Sequence, residues 1–145
     1  MIDFRIKDLF FDRGPIMRAV DKARRAALSK AGAFIRTTAR NSMRRCKGSA
    51  PPGQPPHVHR GTLRRLIFFG FDRASDSVVV GPVGFAASTA PNVLEFGGKA
   101  TLVRRRRGRV VRERATYESR PFMGPALEKE RPKLPQLWAG SVRGG

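Results

Sequence analysis

The sequence predicts an α+β fold, in which a long N-terminal helix and a short C-terminal helix pack on an antiparallel sheet and a basic β-hairpin arm projects. Three observations predict it: an apolar stripe at helical spacing, two pairs of strand-like segments around turns, and a Pro-led apolar segment near the C-terminus. The 145 residues match the size of one domain, so we expect residues 1–145 to share a single core.

The first helix is indicated by apolar residues that recur at steps of three and four. This stripe consists of Ile16, Val20, Ala23, Ala27, Ala31, Phe34 and Thr38. Gly14 and Pro15 mark its start, because proline is tolerated in a first turn, and we expect the helix to reach about Arg45. The apolar-rich residues 3–11 predict a first strand or a lead-in segment.

A loop is predicted at residues 47–61, where four prolines and three glycines exclude a helix or a central strand. It is long enough to be functional or to lie along a neighbouring molecule. Beyond it, residues 63–71 and 77–83 predict a hairpin. Residues 93–96 are predicted to form a short element, which ends at Gly97 and Gly98.

A second hairpin is predicted at residues 99–117, with arginines on both faces of its far half. Its two strands flank a turn at Arg107-Gly108. A ribbon with two polar faces cannot form a core and is marginal alone, so we predict a basic arm that projects from the body.

The C-terminal part of the chain predicts one short helix and a tail. Arg120-Pro121-Phe122 opens the helix, and Pro132 and Pro135 cut it short or kink it. We therefore expect residues 132–145 to form a tail.

The charge balance predicts a polyanionic partner, either nucleic acid or an acidic protein. Thirty Lys and Arg residues face 11 Asp and Glu residues, which leaves a net charge of +19. The single cysteine, Cys46, excludes an intramolecular disulfide, and no apolar run approaches the roughly 20 residues that a membrane span needs. We therefore expect a soluble protein that is made in a cytoplasm and has no membrane partner.

No residue pattern points to catalysis. His57 and His59 could bind a metal, but no Cys, His or carboxylate pair nearby completes a tetrahedral set of ligands. Glu113 and Glu118 lie among arginines and are expected to form ion pairs, and Glu95 is expected to meet a structural arginine. We therefore predict no enzymatic activity, no cofactor and no bound metal.

Several fragments of the sequence resemble a known family in their order and spacing. They are Gly48-Ser-Ala-Pro-Pro-Gly-Gln-Pro-Pro56, Gly61-Thr-Leu-Arg-Arg65, Val80-Gly-Pro-Val83, Ala90-Pro-Asn-Val-Leu-Glu-Phe-Gly97 and Arg120-Pro-Phe-Met-Gly-Pro-Ala-Leu127. Over about residues 16–130, the chain resembles the tail-component, or tail-completion, family of long-tailed bacteriophages, which includes minor tail and neck proteins.

The resemblance implies a structural virion protein that is made in the host cytoplasm and placed in the neck or tail, where it completes the tail or joins head to tail. It implies a homo-oligomeric ring, hexameric by the family pattern, around the DNA path and against a tail terminator, connector or tail-tube protein. The candidate subunit-interface residues are Pro51, Pro52, Pro55, Pro56, Glu95, Phe96, Pro121 and Phe122.

The basic arm leaves two functions open. Its arginines are expected to contact either an acidic surface of an adjacent subunit or DNA phosphates in the lumen of the ring; they are Arg104, Arg105, Arg106, Arg107, Arg109, Arg112 and Arg114. The alternative to a virion protein is a basic nucleic-acid-binding protein, ribosomal-protein-like or nucleoid-associated, that contacts phosphates without sequence specificity. Tyr117 is the only aromatic residue close to these arginines in sequence, so base stacking is not expected.

Overall fold

The computed structural model describes residues 13–85 and 90–141, and the predicted strand or lead-in segment at residues 3–11 lies outside them. The α+β class is confirmed. In chain order the elements are α1 (Arg13–Ser42), α2 (Thr62–Arg65), β1 (Ile67–Asp72), β2 (Ser77–Pro82), α3 (Ala90–Phe96), β3 (Gly98–Arg106), β4 (Arg109–Tyr117), α4 (Met123–Glu130) and a 3₁₀ helix (Arg131–Leu137).

Helix α1 forms where the apolar stripe predicts it, and alanine, the strongest helix former, supplies most of its buried face. The buried row runs at steps of four through Ala23, Ala27, Ala31, Ile35 and Ala39. Toward its C-terminal end this row therefore departs from the predicted Phe34 and Thr38. The first turns of α1 pack on no other described element strongly enough to bury them, and Ile16 is 45% exposed.

The core lies where α1, β1 and α4 meet. Its three largest fully buried side chains are Met43, Ile67 and Phe122, and Ile35, Ala39, Val58 and Ala126 complete the cluster. Helix α4 packs mainly on α1, and the β1–β2 hairpin packs on a neighbouring face of the same helix. Helix α4 turns its buried residues Ala126 and Glu130 toward α1, and Ala126 also belongs to the core cluster that contains Ile67 of β1.

The strands form two separate two-stranded antiparallel sheets, β1–β2 and β3–β4. The first hairpin pairs Ile67 with Pro82 and Asp72 with Ser77. Residues 62–65, which lie mostly inside the predicted first strand, form the single turn α2, closed by the bond that Leu66 N–H donates to Thr62 O. Because α1 covers only the first hairpin, the second is left outside the core.

The predicted tail is ordered along its first ten residues. Residues 131–137 form a 3₁₀ helix that contacts α1, and Leu134 and Leu137 are half-buried. Pro132 and Pro135 lack the N–H groups that an α-helix needs, which explains the change of helix type. No helix in residues 13–85 and 90–141 is long and apolar enough to cross a membrane.

Candidate functional site

The predicted basic arm is the β3–β4 ribbon, two strands of nine residues joined by a two-residue turn. Arg107 and Gly108 both have positive φ, 47° and 78°. A two-residue hairpin turn whose twist matches that of its strands requires positive φ at both positions. The strand register pairs Arg106 with Arg109 directly before the turn. The ribbon contacts α3 at its base, and its packing is otherwise dominated by its own two strands.

One face of the ribbon is basic and exposed along its whole length. Directly opposed residues of an antiparallel pair share a face, so the register defines this set: Lys99, Thr101, Val103, Arg105, Val110, Arg112, Arg114 and Thr116. We call it the basic face. All eight residues are exposed, four are cations and none is an acid. The two central valines, 64% and 57% exposed, add a small apolar patch between the cations.

The arginines that were predicted as contact residues lie on the ribbon, and of its two predicted ion-paired acids only Glu118 can be compared with the prediction. Among the described side chains, Arg107 and Arg109 are exposed at the tip, and Arg104 is paired in register with Val111. Glu118 forms no salt bridge with any described side chain, contrary to prediction. The prediction for Glu113 involves the side chains of residues 104 and 106, which lie outside those that the structure describes. Both acids are exposed to solvent, which stabilises a carboxylate without an ion-pair partner.

The base of the ribbon is a tight turn between α3 and β3. Gly97 and Gly98 both have positive φ, 73° and 121°, which L side chains rarely adopt. A Cβ atom at Gly97 would also lie 3.1 Å from the backbone N of Ser119 and the O of Tyr117. The turn directs β3 away from α3 and therefore fixes where the ribbon leaves the body.

Glu95 connects this base to the last helix. Its Oε2 accepts hydrogen bonds from the backbone N–H groups of Phe122 (2.8 Å) and Met123 (3.0 Å), and its Oε1 accepts one from Gly124 (2.7 Å). These are orphan donors at the start of α4, where a carboxylate is also favoured by the helix dipole. The expected arginine partner is therefore wrong, and Glu95 is engaged inside its own chain rather than free for a neighbouring subunit.

The Pro-rich loop, residues 47–61, is hydrogen-bonded to the segment that precedes α4. Gly53 N–H donates to Ser119 O (2.8 Å), and Arg120 Nε donates to Ala50 O (2.7 Å). The loop therefore lies along its own chain. The sequence patterns did not predict that Arg120 binds the Pro-rich loop, since its only signal is its position next to Pro121.

The predicted interface residues divide into exposed and buried sets. Phe96 is 80% exposed, and Pro51 and Pro52 are exposed on the loop, so all three are available to a partner. Phe122, 1% exposed, belongs to the core, and Pro56 is a buried residue of the Pro-rich loop. These two predictions are wrong, because apolar residues in loops and at helix starts also fill a small core. Pro55 and Pro121 are half-buried.

A cleft of about 960 Å³ lies between the Pro-rich loop, α3 and the base of the ribbon. His57 and His59 line it, and the Nδ1 atom of His57 is buried with no hydrogen-bond partner among the described residues. Within the described part of the chain, no group of three His, Cys, Asp or Glu side chains is placed to hold a metal ion. Leu63, Leu94 and Tyr117 contribute apolar surface to the lining. Arg60, Glu118 and Arg120 line the same cleft with charged groups.

Comparison of the chain with protein-family models, with curated proteins and with solved structures finds no match. Its function is therefore inferred from its own residues and surfaces, among which the basic ribbon is a feature that the core does not explain.

Proposed function

We propose that this protein is a structural subunit of a bacteriophage neck or tail, which joins a ring around the DNA path and holds its partners through the β3–β4 ribbon. The observation that carries the proposal is the basic face, which is exposed over all eight of its positions. An isolated two-stranded ribbon is marginal in water, so a partner surface is the natural source of its stability. The sequence fragments that resemble tail-completion proteins suggest which assembly supplies that surface.

The chemistry of the basic face suits a rigid, acidic partner. Arg105, Arg112 and Arg114 present planar guanidinium groups, which bind carboxylates in a bidentate geometry. Val103 and Val110 lie between these cations and would be covered at the same time. Identical copies would repel each other through these faces, so the partner is a different protein layer of the neck or tail, such as a terminator, connector or tail-tube protein.

The basic face is tested by replacing its four cations, Lys99, Arg105, Arg112 and Arg114, with Ser. Because no core residue lies on the ribbon, we expect the circular dichroism spectrum and the melting temperature of the domain to be nearly unchanged. We expect the yield of infectious particles to fall by roughly tenfold or more in a host where this variant is the only copy, since a loss of about 1.4 kcal/mol weakens the contact between ribbon and partner tenfold.

The matched control replaces one lysine and three arginines that are exposed elsewhere, Lys22, Arg13, Arg18 and Arg73, with Ser. It removes the same charge and is expected to leave the particle yield near the wild-type value. Normal infectious particles from the ribbon variant would contradict the proposal, as would an equal loss from the control.

A second candidate function is a basic nucleic-acid-binding protein that contacts phosphates without sequence specificity. The absence of any acid on the basic face favours it, since a phosphate backbone meets no repulsion there. Fractionation of an infected host separates the two candidates. Sedimentation with virions supports the neck or tail subunit, whereas sedimentation with ribosomes or bulk DNA supports the second candidate.

A further inference from the structure

A second concentration of arginines lies on the body of the protein, apart from the ribbon. At the C-terminal end of α1, a pocket of about 390 Å³ is lined by seven residues, of which five are arginines: Arg40, Arg45, Arg60, Arg64 and Arg65. The other two are Val58 and Gly61, so no acid and no aromatic residue lines this pocket. We call it the arginine pocket.

Two parts of the chain build the arginine pocket. Arg40 lies in the last turn of α1 and Arg45 just beyond it. The Pro-rich loop then returns to the same place, where Val58 N–H donates to Arg44 O (2.9 Å). Gly61, with a φ of 72°, turns the chain directly into α2, whose last two residues are Arg64 and Arg65.

The charges in the arginine pocket are not neutralised by any carboxylate of the described residues. No carboxylate of residues 13–85 and 90–141 forms a salt bridge with any of the five guanidinium groups. The side-chain hydrogen bond seen there joins Arg64 Nη2 to the neutral Asn41 Oδ1 at 3.5 Å. The negative end of the α1 dipole favours Arg40, but it acts only within the last turn and does not account for the convergence of five cations.

We infer that the arginine pocket binds the phosphodiester backbone of nucleic acid. A guanidinium fork matches two phosphate oxygens, and a nucleic-acid strand presents one phosphate at every nucleotide, so several arginines can be satisfied together. An acidic protein would have to bring several carboxylates into one concave site to do the same. Since no aromatic residue lines the pocket, bases cannot stack there, and binding is independent of sequence.

This site is separate from the ribbon and does not depend on the neck or tail function. Arg60, Arg64 and Arg65 lie on α2 and the loop before it, whereas the basic face lies on β3 and β4. A virion subunit could therefore lack the phosphate site, and a cellular nucleic-acid-binding protein could possess it.

The test measures the affinity of the full chain for a short fluorescent DNA duplex of arbitrary sequence, by anisotropy at several salt concentrations. The variant replaces Arg60, Arg64 and Arg65 with Gln. We expect the slope of log affinity against log salt to become less steep by about 2 to 3, at roughly 0.9 for each lost phosphate contact. Near 0.1 M salt this corresponds to an affinity loss on the order of a hundredfold.

The control variant replaces three exposed arginines outside the pocket, Arg13, Arg18 and Arg73, with Gln, and therefore carries the same net charge. We expect its salt slope to change by less than about 1. Circular dichroism of both variants checks that the fold persists. An equal loss of affinity in the two variants would overturn the proposal, because it would show a diffuse charge effect. Unchanged DNA binding by the pocket variant would overturn the proposal too. So would a pocket variant that keeps its affinity for DNA and loses its affinity for polyglutamate, because that result would assign the pocket to an acidic protein.

Discussion

At the scale of single residues, Glu130 joins two helices that are distant in sequence. It is 5% exposed at the end of α4, and its Oε1 accepts a hydrogen bond from the Thr38 hydroxyl of α1 at 2.6 Å. Its Oε2 accepts another from Lys133 Nζ at 3.0 Å. The Thr38 bond, followed by Lys133, holds the pKa of Glu130 below its ordinary value of 4.5 against the opposing effect of burial.

We predict that Thr38→Val lowers the free energy of unfolding at pH 7 by about 1 to 3 kcal/mol, because it leaves a buried carboxylate without its hydroxyl donor. A carboxyl with a depressed folded-state pKa stabilises the fold above its unfolded pKa, and this contribution is lost as the pH falls through the folded value. The difference between variant and wild type should therefore shrink below pH 4.5. Urea unfolding at neutral and acidic pH measures it.

Thr37→Val is the control for this substitution. The Thr37 side chain is exposed and donates to Ala33 O within α1, so its loss should change stability by less than about 0.5 kcal/mol. A Thr38→Val variant that is equally destabilised at neutral and acidic pH would show that the hydroxyl does not act through the ionised form of Glu130.

At the scale of elements, the contact between α1 and the β1–β2 hairpin depends on a glycine. A Cβ atom at Gly32 would lie 2.7 Å from Val78 Cγ2 and 2.8 Å from Phe69 Cδ2. These distances are shorter than carbon atoms tolerate, so the helix and the hairpin approach as closely as they do only because Gly32 has no side chain. On the neighbouring turn, Arg36 Nε donates to Ile67 O (2.7 Å) and fastens the same helix to the start of β1.

We predict that Gly32→Ala destabilises the protein by about 0.5 to 2 kcal/mol. The gain in helix propensity, about 1 kcal/mol, is smaller than the overpacking of a core contact, which costs up to about 3 kcal/mol. In a Val78→Ala background the same substitution should cost less, because the stiff branched side chain of Val78 has gone and only the close approach to the Phe69 ring remains. Denaturant midpoints of the four proteins complete the cycle. A Gly32→Ala protein as stable as wild type would disprove the close contact.

At the scale of the whole molecule, the small core is matched by a large charged surface. Eleven hydrophobic residues of the described chain are buried, and six of them are alanines. Met17, Phe96 and Val79 are each more than half exposed. The net charge of +19 opposes the side-by-side packing of identical subunits. A ring of this chain therefore needs anionic surface from another molecule.

We predict that the purified protein is a monomer or a weak oligomer, and that it closes into a ring only on its neck or tail partner. Sedimentation with and without that partner at moderate salt measures this. Raising the salt should promote self-association, since the screening length falls from about 10 Å at 0.1 M to about 3 Å at 1 M. A stable ring of the isolated protein at micromolar concentration would show that charge does not control assembly.

Local sequence signals determined the secondary structure of most of the described chain. The apolar stripe predicted α1 to within a few residues, and the Arg107-Gly108 pair predicted the turn of the ribbon. Both are local features, because helical periodicity and the positive φ of a tight turn are set by residues close together in sequence. The basic character of the ribbon followed for the same reason, since alternation along a strand places its arginines without reference to the rest of the fold.

Only the tertiary structure decided which residues are engaged inside the chain and which remain free. Glu95 became the cap of α4 through contacts 27 to 29 residues away, and Phe122 became part of the core. The five arginines of the arginine pocket come from the residues before the Pro-rich loop, from the end of the loop and from α2, and they meet because the loop closes. Such contacts depend on how helices and loops pack over long sequence separations, and no local pattern encodes that packing.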